Sequence, residues 1–197
     1  MPVSMDQIKQ LRDKTNAGFM DCKQALEDTK GDIDQAVQEL RKKGLVVAAK
    51  RGGRAAKEGL VSAYIHHGGK VGVLLEVNCE TDFVARNEKF QEFVKDVAMQ
   101  IAAANPQYLA KEDVPAEAIE REKEVFKAQA GDKPAAVLEK MMVGKLNKFY
   151  QETCLLQQLF VKDDKRTIQD YLTEITGQIG ENIVIRRFAR YQLGEEK

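Results

Sequence analysis

Few residues of this chain have both the type and the company to do covalent or metal chemistry. Three cysteines, Cys22, Cys79 and Cys154, stand far apart, with no Cys-x-x-Cys pair among them. An odd, widely spaced set argues against a disulfide framework or a zinc site and for a reducing compartment. The two histidines, His66 and His67, are adjacent; in a strand they point to opposite faces and cannot line one site. Cys79 precedes Glu80, whose carboxylate disfavours a neighbouring thiolate. Gly68-Gly69-Lys70 is too short to cradle a phosphate and lies between two apolar runs, where glycines make a hairpin turn. Neither Gly-x-x-x-x-Gly-Lys-Ser/Thr nor Gly-x-Gly-x-x-Gly occurs. No nucleophile, base and orienting group lie together in sequence. The reading is a protein without a catalytic site, cofactor or metal of its own.

The chemistry that remains is recognition. Phe83 sits in the turn Thr81-Asp82-Phe83-Val84, flanked by Arg86 and Asn87 and following an apolar strand. The next helix already carries Phe90 and Phe93 for the core. A core position and an exposed position are both open to Phe83 on sequence alone; the turn and the two phenylalanines behind it favour exposure.

The elements that position this turn follow from periodicity. Ser4 with Gln7 fits a capping box, and Ile8 and Leu11 follow on one face. Thr15-Asn16-Ala17-Gly18 breaks the helix, with Asn16 and Gly18 suited to a reversal through positive φ. A second helix runs from about Phe19 to Thr29 and ends at Gly31. Asp32 with Gln35 starts a third, whose Ile33, Ala36, Val37 and Leu40 share a face, and Gly44 is expected to close it. Residues 41–57 hold seven basic side chains and no acid, with Gly52-Gly53 inside, and read as a linker or a surface for an acidic partner. Strands Leu60–His66 and Val71–Asn78 form a hairpin around Gly68-Gly69. Asn87 caps a helix with the apolar stripe Phe90, Phe93, Val94, Val97 and Ile101. Charged helices follow, interrupted at Gly131 and Pro134; the second, about Pro134–Tyr150, carries Met141 and Met142 as core filler. Thr153–Val161 is a strand or a buried loop, Thr167 to about Gln178 a helix, and Ile183–Leu193 a long strand whose alternation slips at Arg186-Arg187. The fold class is α+β: a three-helix module at residues 1–45, a basic linker at 46–58, and a core at 59–197 with a three-stranded antiparallel sheet packed with helices.

Composition bounds the rest. The chain of 197 residues balances 31 basic against 31 acidic side chains, without the basic excess of a nucleic-acid binder. No apolar run approaches membrane-spanning length, and Met1–Asp6 lacks the pattern of a signal peptide, so a cytoplasmic protein is expected.

Two stretches carry a resemblance. The first is Ile8–Arg12 through Thr15-Asn16-Ala17-Gly18-Phe19-Met20-Asp21-Cys22-Lys23 to Ala25-Leu26; the second is Leu75–Ala85. Both resemble the signatures of the translation elongation factor Ts family, and the closing Gly180–Phe188 is similar to it. The resemblance implies a ubiquitin-associated-like N-terminal module that docks on the nucleotide domain of elongation factor Tu. It also implies a core whose Asp82-Phe83 pair, within Thr81, Asp82, Phe83 and Val84, disturbs the nucleotide and magnesium site. On the module the matching contact positions are Leu11, Phe19, Met20 and Lys23. The family often has Gly where Asn16 stands and Met where Phe19 stands. Longer members carry two related core subdomains where this chain has room for one, which implies a homodimer. The competing reading is an adaptor that binds ubiquitin-like or peptide partners without exchange activity.

Overall fold

The computed structural model describes residues 3–15, 17–130 and 134–195, so the expectations for Asn16 and Gly131 lie outside the described residues. Among the described residues the chain forms eight α-helices and five strands. It divides into two compact units. One comprises Met1–Leu60, Val77–Phe93 and Tyr171–Val184; the other Val61–Glu76, Val94–Asp170 and Ile185–Lys197.

In the first unit, α1 (Met5–Thr15), α2 (Phe19–Asp28) and α3 (Ile33–Arg51) form the expected three-helix module. The Ser4 hydroxyl accepts from the Gln7 N–H at 3.2 Å and the Gln7 side chain accepts from the Ser4 N–H at 3.0 Å, a closed capping box. Asp32 caps α3 by accepting from the Gln35 N–H at 2.9 Å. Ile8, Leu11, Cys22, Ala25, Leu26 and Ala36 form the module core. Gly18 has φ −62° rather than the expected positive value. It is the N-cap of α2, a position that needs only extended backbone.

The third helix does not stop at Gly44. It continues to Arg51, because Gly44 is a packing position rather than a terminator. Its partner is Gly177 in α8 (Ile168–Ile179), where an added Cβ would lie 2.8 Å from the Gly44 Cα. Half of the expected linker is thus helix. Gly52 is the C-cap, donating its N–H to the Ala48 carbonyl at 2.9 Å.

Strands β1 (Glu58–Ile65), β2 (Val71–Cys79) and β5 (Val184–Gln192) form one sheet in the order β1-β2-β5. The hairpin turn has φ +90° at Gly68 and +70° at Gly69, the backbone glycine permits. The β2–β5 register is antiparallel: the Leu193 N–H reaches the Lys70 carbonyl at 2.8 Å, and further along Arg187 pairs with Glu76 at 2.6 Å. Arg186 and Arg187 are both exposed, matching the slipped alternation read from the sequence.

In the second unit one face of this sheet bears Val61, Ala63, Ile65, Leu74 and Tyr191, all exposed. They share that face because a Cβ at Gly72 would meet the Ile65 Cδ1 at 3.1 Å, and Val61, Ala63 and Leu74 follow at two-residue steps. The β2–β5 register sets Tyr191 opposite Gly72. The other face of β2 is core, with Val73 and Leu75 buried.

Helix α5 (Glu88–Ala104) carries the predicted stripe, and Phe90, Phe93, Val94, Val97 and Ile101 are all buried. Within the second unit its Gln100 donates to the Gln158 side chain at 3.1 Å and to the Leu159 carbonyl at 3.2 Å, and accepts from the Val161 N–H at 2.9 Å. This buried amide fixes the segment left open between strand and loop. That segment is a 3₁₀ turn, Leu155–Gln157, followed by the two-residue β3 (Leu159–Phe160) paired with β4 (Asp163–Thr167). Helices α6 (Ala116–Ala130) and α7 (Ala135–Thr153) pack on one another. Met141 and Met142 are only half-buried there, so they are less fully core than expected.

Candidate functional site

The turn after β2 lies in the first unit and is built in three steps. Thr81 is extended and caps a one-turn helix, α4 (Asp82–Ala85), its hydroxyl accepting from the Val84 N–H at 3.4 Å. The buried Cys79 thiol donates to the Thr81 carbonyl at 3.1 Å. Asn87 then accepts from the Lys89 N–H at 2.9 Å and starts α5. The strand thus gives way to helix with Phe83 in the first turn of α4.

Phe83 is 80 % exposed, while Phe90 and Phe93 are fully buried. In the same unit Phe93 meets Tyr171 edge-on, ring centroids 5.0 Å apart. The core is supplied without Phe83, as the sequence suggested. Asp82 forms an ion pair with Arg86 at 3.0 Å across one turn. Val84 is half-buried and Ala85 buried, so they anchor the turn from below.

Two loops far apart in sequence clasp this turn. The Glu181 carboxylate accepts the Glu80 and Thr81 N–H groups, both at 3.1 Å, and the Thr81 hydroxyl at 2.7 Å. In return the Glu80 carboxylate accepts the Asn182 N–H at 2.7 Å. Arg51 and Arg54 flank Glu80 at 3.7 and 3.5 Å, and the Asn182 amide donates to the Arg54 carbonyl at 2.8 Å. The Asn182 hydrogen bond and the two guanidinium groups hold the Glu80 carboxyl below its ordinary value. Local sequence reading missed this exchange of carboxylates because its halves lie about a hundred residues apart. The only hint was that both stretches carried the resemblance.

On the module, Phe19 is 40 % and Met20 69 % exposed. Lys23 is half-exposed, 3.7 Å from Glu27 on the same helix. Leu11 is fully buried in the module core and presents no surface. The three cysteines are free and buried; burial pushes the Cys79 thiol up to about 11. Among the described residues no cluster of histidine, cysteine and carboxylate side chains could hold a metal ion, and no helix is long and apolar enough to cross a membrane.

Comparison with known proteins finds relatives over nearly the whole chain. The family model described as Elongation factor TS matches residues 6–195. The chain is similar to Elongation factor Ts of Geobacter sulfurreducens, 58% identical over 197 residues that cover 99% of this chain and 91% of that protein. It is similar to Elongation factor Ts of Caldanaerobacter subterraneus subsp. tengcongensis, 56% identical over 195 residues and covering 98% of both chains. It is likewise similar to Elongation factor Ts of Syntrophobacter fumaroxidans, 56% identical over 198 residues that cover 100% of this chain and 99% of that protein.

Proposed function

This chain belongs to the elongation factor Ts family, and from that premise we propose how it works as a guanine-nucleotide exchange factor for elongation factor Tu. The three-helix module, ubiquitin-associated-like in kind, docks on the GTPase. The Asp82-Phe83 turn then enters the nucleotide and magnesium site and disturbs it. Exposure of Phe83 is the observation that carries this reading: a phenylalanine left 80 % in water by its own fold regains its burial energy only in a partner.

Exchange follows from linkage. A factor that binds the nucleotide-free GTPase better than the loaded form weakens nucleotide by the same ratio. A ternary complex must form, so that release is accelerated rather than merely competed. Disturbing the partner's magnesium would remove a charge that holds the phosphates and so raise the nucleotide off-rate. This chain's own part is mechanical and electrostatic. Phe83 supplies the apolar wedge, Asp82 starts the helix beneath it and offers a polar contact to the partner, and Thr81 and Val84 hold the turn.

The exposed Phe19 and Met20, with Lys23 beside them, support docking through that face of the module, and Leu11 acts from underneath. Residues 1–45 serve as the docking module, 46–58 as its basic connection and 59–197 as the core. The factor works in the cytoplasm without contacting nucleic acid. A homodimer is supported by the exposed apolar sheet face, Val61, Ala63, Ile65, Leu74 and Tyr191, which a second copy would cover.

The test is release of a fluorescent GDP analogue from purified elongation factor Tu. Phe83→Ala should fold normally yet slow catalysed release about tenfold or more, from the 1.5–3 kcal/mol of lost burial. An unchanged rate would refute insertion and favour an adaptor.

A further inference from the structure

Insertion of Phe83 poses a physical problem. A side chain that must stay exposed cannot be oriented by packing, and α4 is a single turn, too short to hold itself. Val84 and Ala85 anchor the turn from below, and the direction of its first residues is set at the Thr81 cap. We propose that Glu181 is a positioning residue for nucleotide exchange: its carboxylate, from the loop after α8, clamps the Thr81 cap and thereby aims Phe83. The inference rests on the insertion reading above.

Three observations carry it. First, one carboxylate takes three donors from two successive residues, the Glu80 N–H, the Thr81 N–H and the Thr81 hydroxyl. Hydrogen bonds to an ionised acceptor are the strong ones. Second, the hydroxyl bond sets polarity. With its proton given to Glu181 at 2.7 Å, the Thr81 oxygen turns a lone pair to the Val84 N–H, the cap on which α4 is built. Third, the clamp is closed from the other side. The Glu80 carboxylate holds the Asn182 N–H, and Arg51 and Arg54 hold Glu80. The turn is thus tied both to the loop after α8 and to the end of α3. In this reading Glu181 acts through Thr81 and need touch neither nucleotide nor partner.

If the clamp is lost, the turn samples other orientations and only a fraction of molecules present Phe83 correctly. The docking module is untouched. The signature is a loss in the maximal release rate with little change in the concentration of factor at half-saturation, which a merely structural role would not produce.

The experiment measures release of the GDP analogue against factor concentration for the unaltered chain, Glu181→Ala, Glu181→Gln and Phe83→Ala, together with amide hydrogen exchange across residues 78–86. Glu181→Ala should lower the maximal rate about tenfold, the scale of one lost charge-assisted hydrogen bond. Half-saturation should stay within about twofold, and faster amide exchange should be confined to the turn. Glu181→Gln, which keeps one acceptor oxygen, should fall between. If Phe83→Ala slows release while both Glu181 variants keep the full maximal rate, the positioning role is overturned. If Phe83→Ala itself is fully active, the insertion reading fails instead. Should Glu181→Ala lose its helical signal, Glu181→Gln decides by the same criteria. Loss of protection throughout the chain in Glu181→Gln would mark the residue as structural only and overturn the proposal.

Discussion

Replacing Gly177 by alanine tests the packing of α3 against α8, because the outcome turns on the sign of two opposed effects. A Cβ at position 177 would lie 2.8 Å from the Gly44 Cα, 3.1 Å from its carbonyl oxygen and 3.2 Å from its carbonyl carbon. These are backbone atoms, which cannot swing aside as a side chain can, so the two helices must move apart. Overpacking of this kind costs about 1–3 kcal/mol. Against it stands the helix-propensity gain of alanine over glycine, about 1 kcal/mol in a helix interior and less this near the end of α8. The steric term wins, and a net loss of about 1–2 kcal/mol is expected. Gly44→Ala should go the other way. Its Cβ would meet only the Gly177 Cα at 4.0 Å, ordinary contact, so the propensity gain remains. Urea unfolding followed by circular dichroism measures both. The midpoint should fall for Gly177→Ala and hold or rise for Gly44→Ala. The consequence reaches function, because α3 leads into Arg51 and Arg54 and α8 into Glu181 and Asn182. Gly177→Ala should therefore also reduce the maximal GDP release rate. A Gly177→Ala chain as stable as the unaltered one, or the reverse order of the two variants, would refute the close-approach argument.

Two further outcomes follow, one from the buried Cys79 and one from the exposed Leu74. The Cys79 thiol has its folded value raised from 9.0 to about 11, so the unfolded chain gives up that proton first. Its contribution to stability is whole below pH 9 and is lost as pH rises through about 11, which thermal melts across that range would detect; at pH 8 a thiol reagent should react with Cys79 only after denaturation. On the sheet, Leu74→Lys should convert the proposed dimer to monomer by placing a charge in its apolar face, and sedimentation velocity would show it; an unaltered chain that sediments as a monomer would remove the dimer.

What the sequence revealed divides by the range of the interaction responsible. The capping box of Ser4 and Gln7, the Asp32 cap, the Gly68-Gly69 turn and the buried stripe of α5 are written in residues a few positions apart, and each was legible. Exposure of Phe83 was legible for the same reason, since Phe90 and Phe93 lie within one helix of it. Gly44 misled because a glycine at the end of an apolar stripe looks the same whether it stops a helix or admits another one. Only Gly177, over a hundred residues later, distinguishes the two. Strand β4, Asp-Asp-Lys-Arg-Thr, has no apolar alternation to announce it and exists because β3 supplies a partner. The Glu80–Glu181 exchange was likewise invisible, since neither carboxylate shows its role without the other's backbone.

That last miss bears on how such a turn can be built at all. A wedge for another protein must be apolar, exposed and rigid, and burial, the usual source of rigidity, is unavailable to an exposed group. Thr81 is itself exposed, yet its backbone N–H and its hydroxyl are both spent on Glu181. The polar groups of the turn thus supply the order that Phe83 cannot supply for itself. The arrangement also explains why the clamp must be closed by residues from the ends of both α3 and α8. A single carboxylate on a free loop would move with the turn; one tied back through Asn182, Glu80, Arg51 and Arg54 is referred to two helices that meet at Gly44 and Gly177. The direction of Phe83 is then tied to the approach of α3 and α8 at Gly44 and Gly177, which is why an added methyl group at Gly177 should be felt at Phe83.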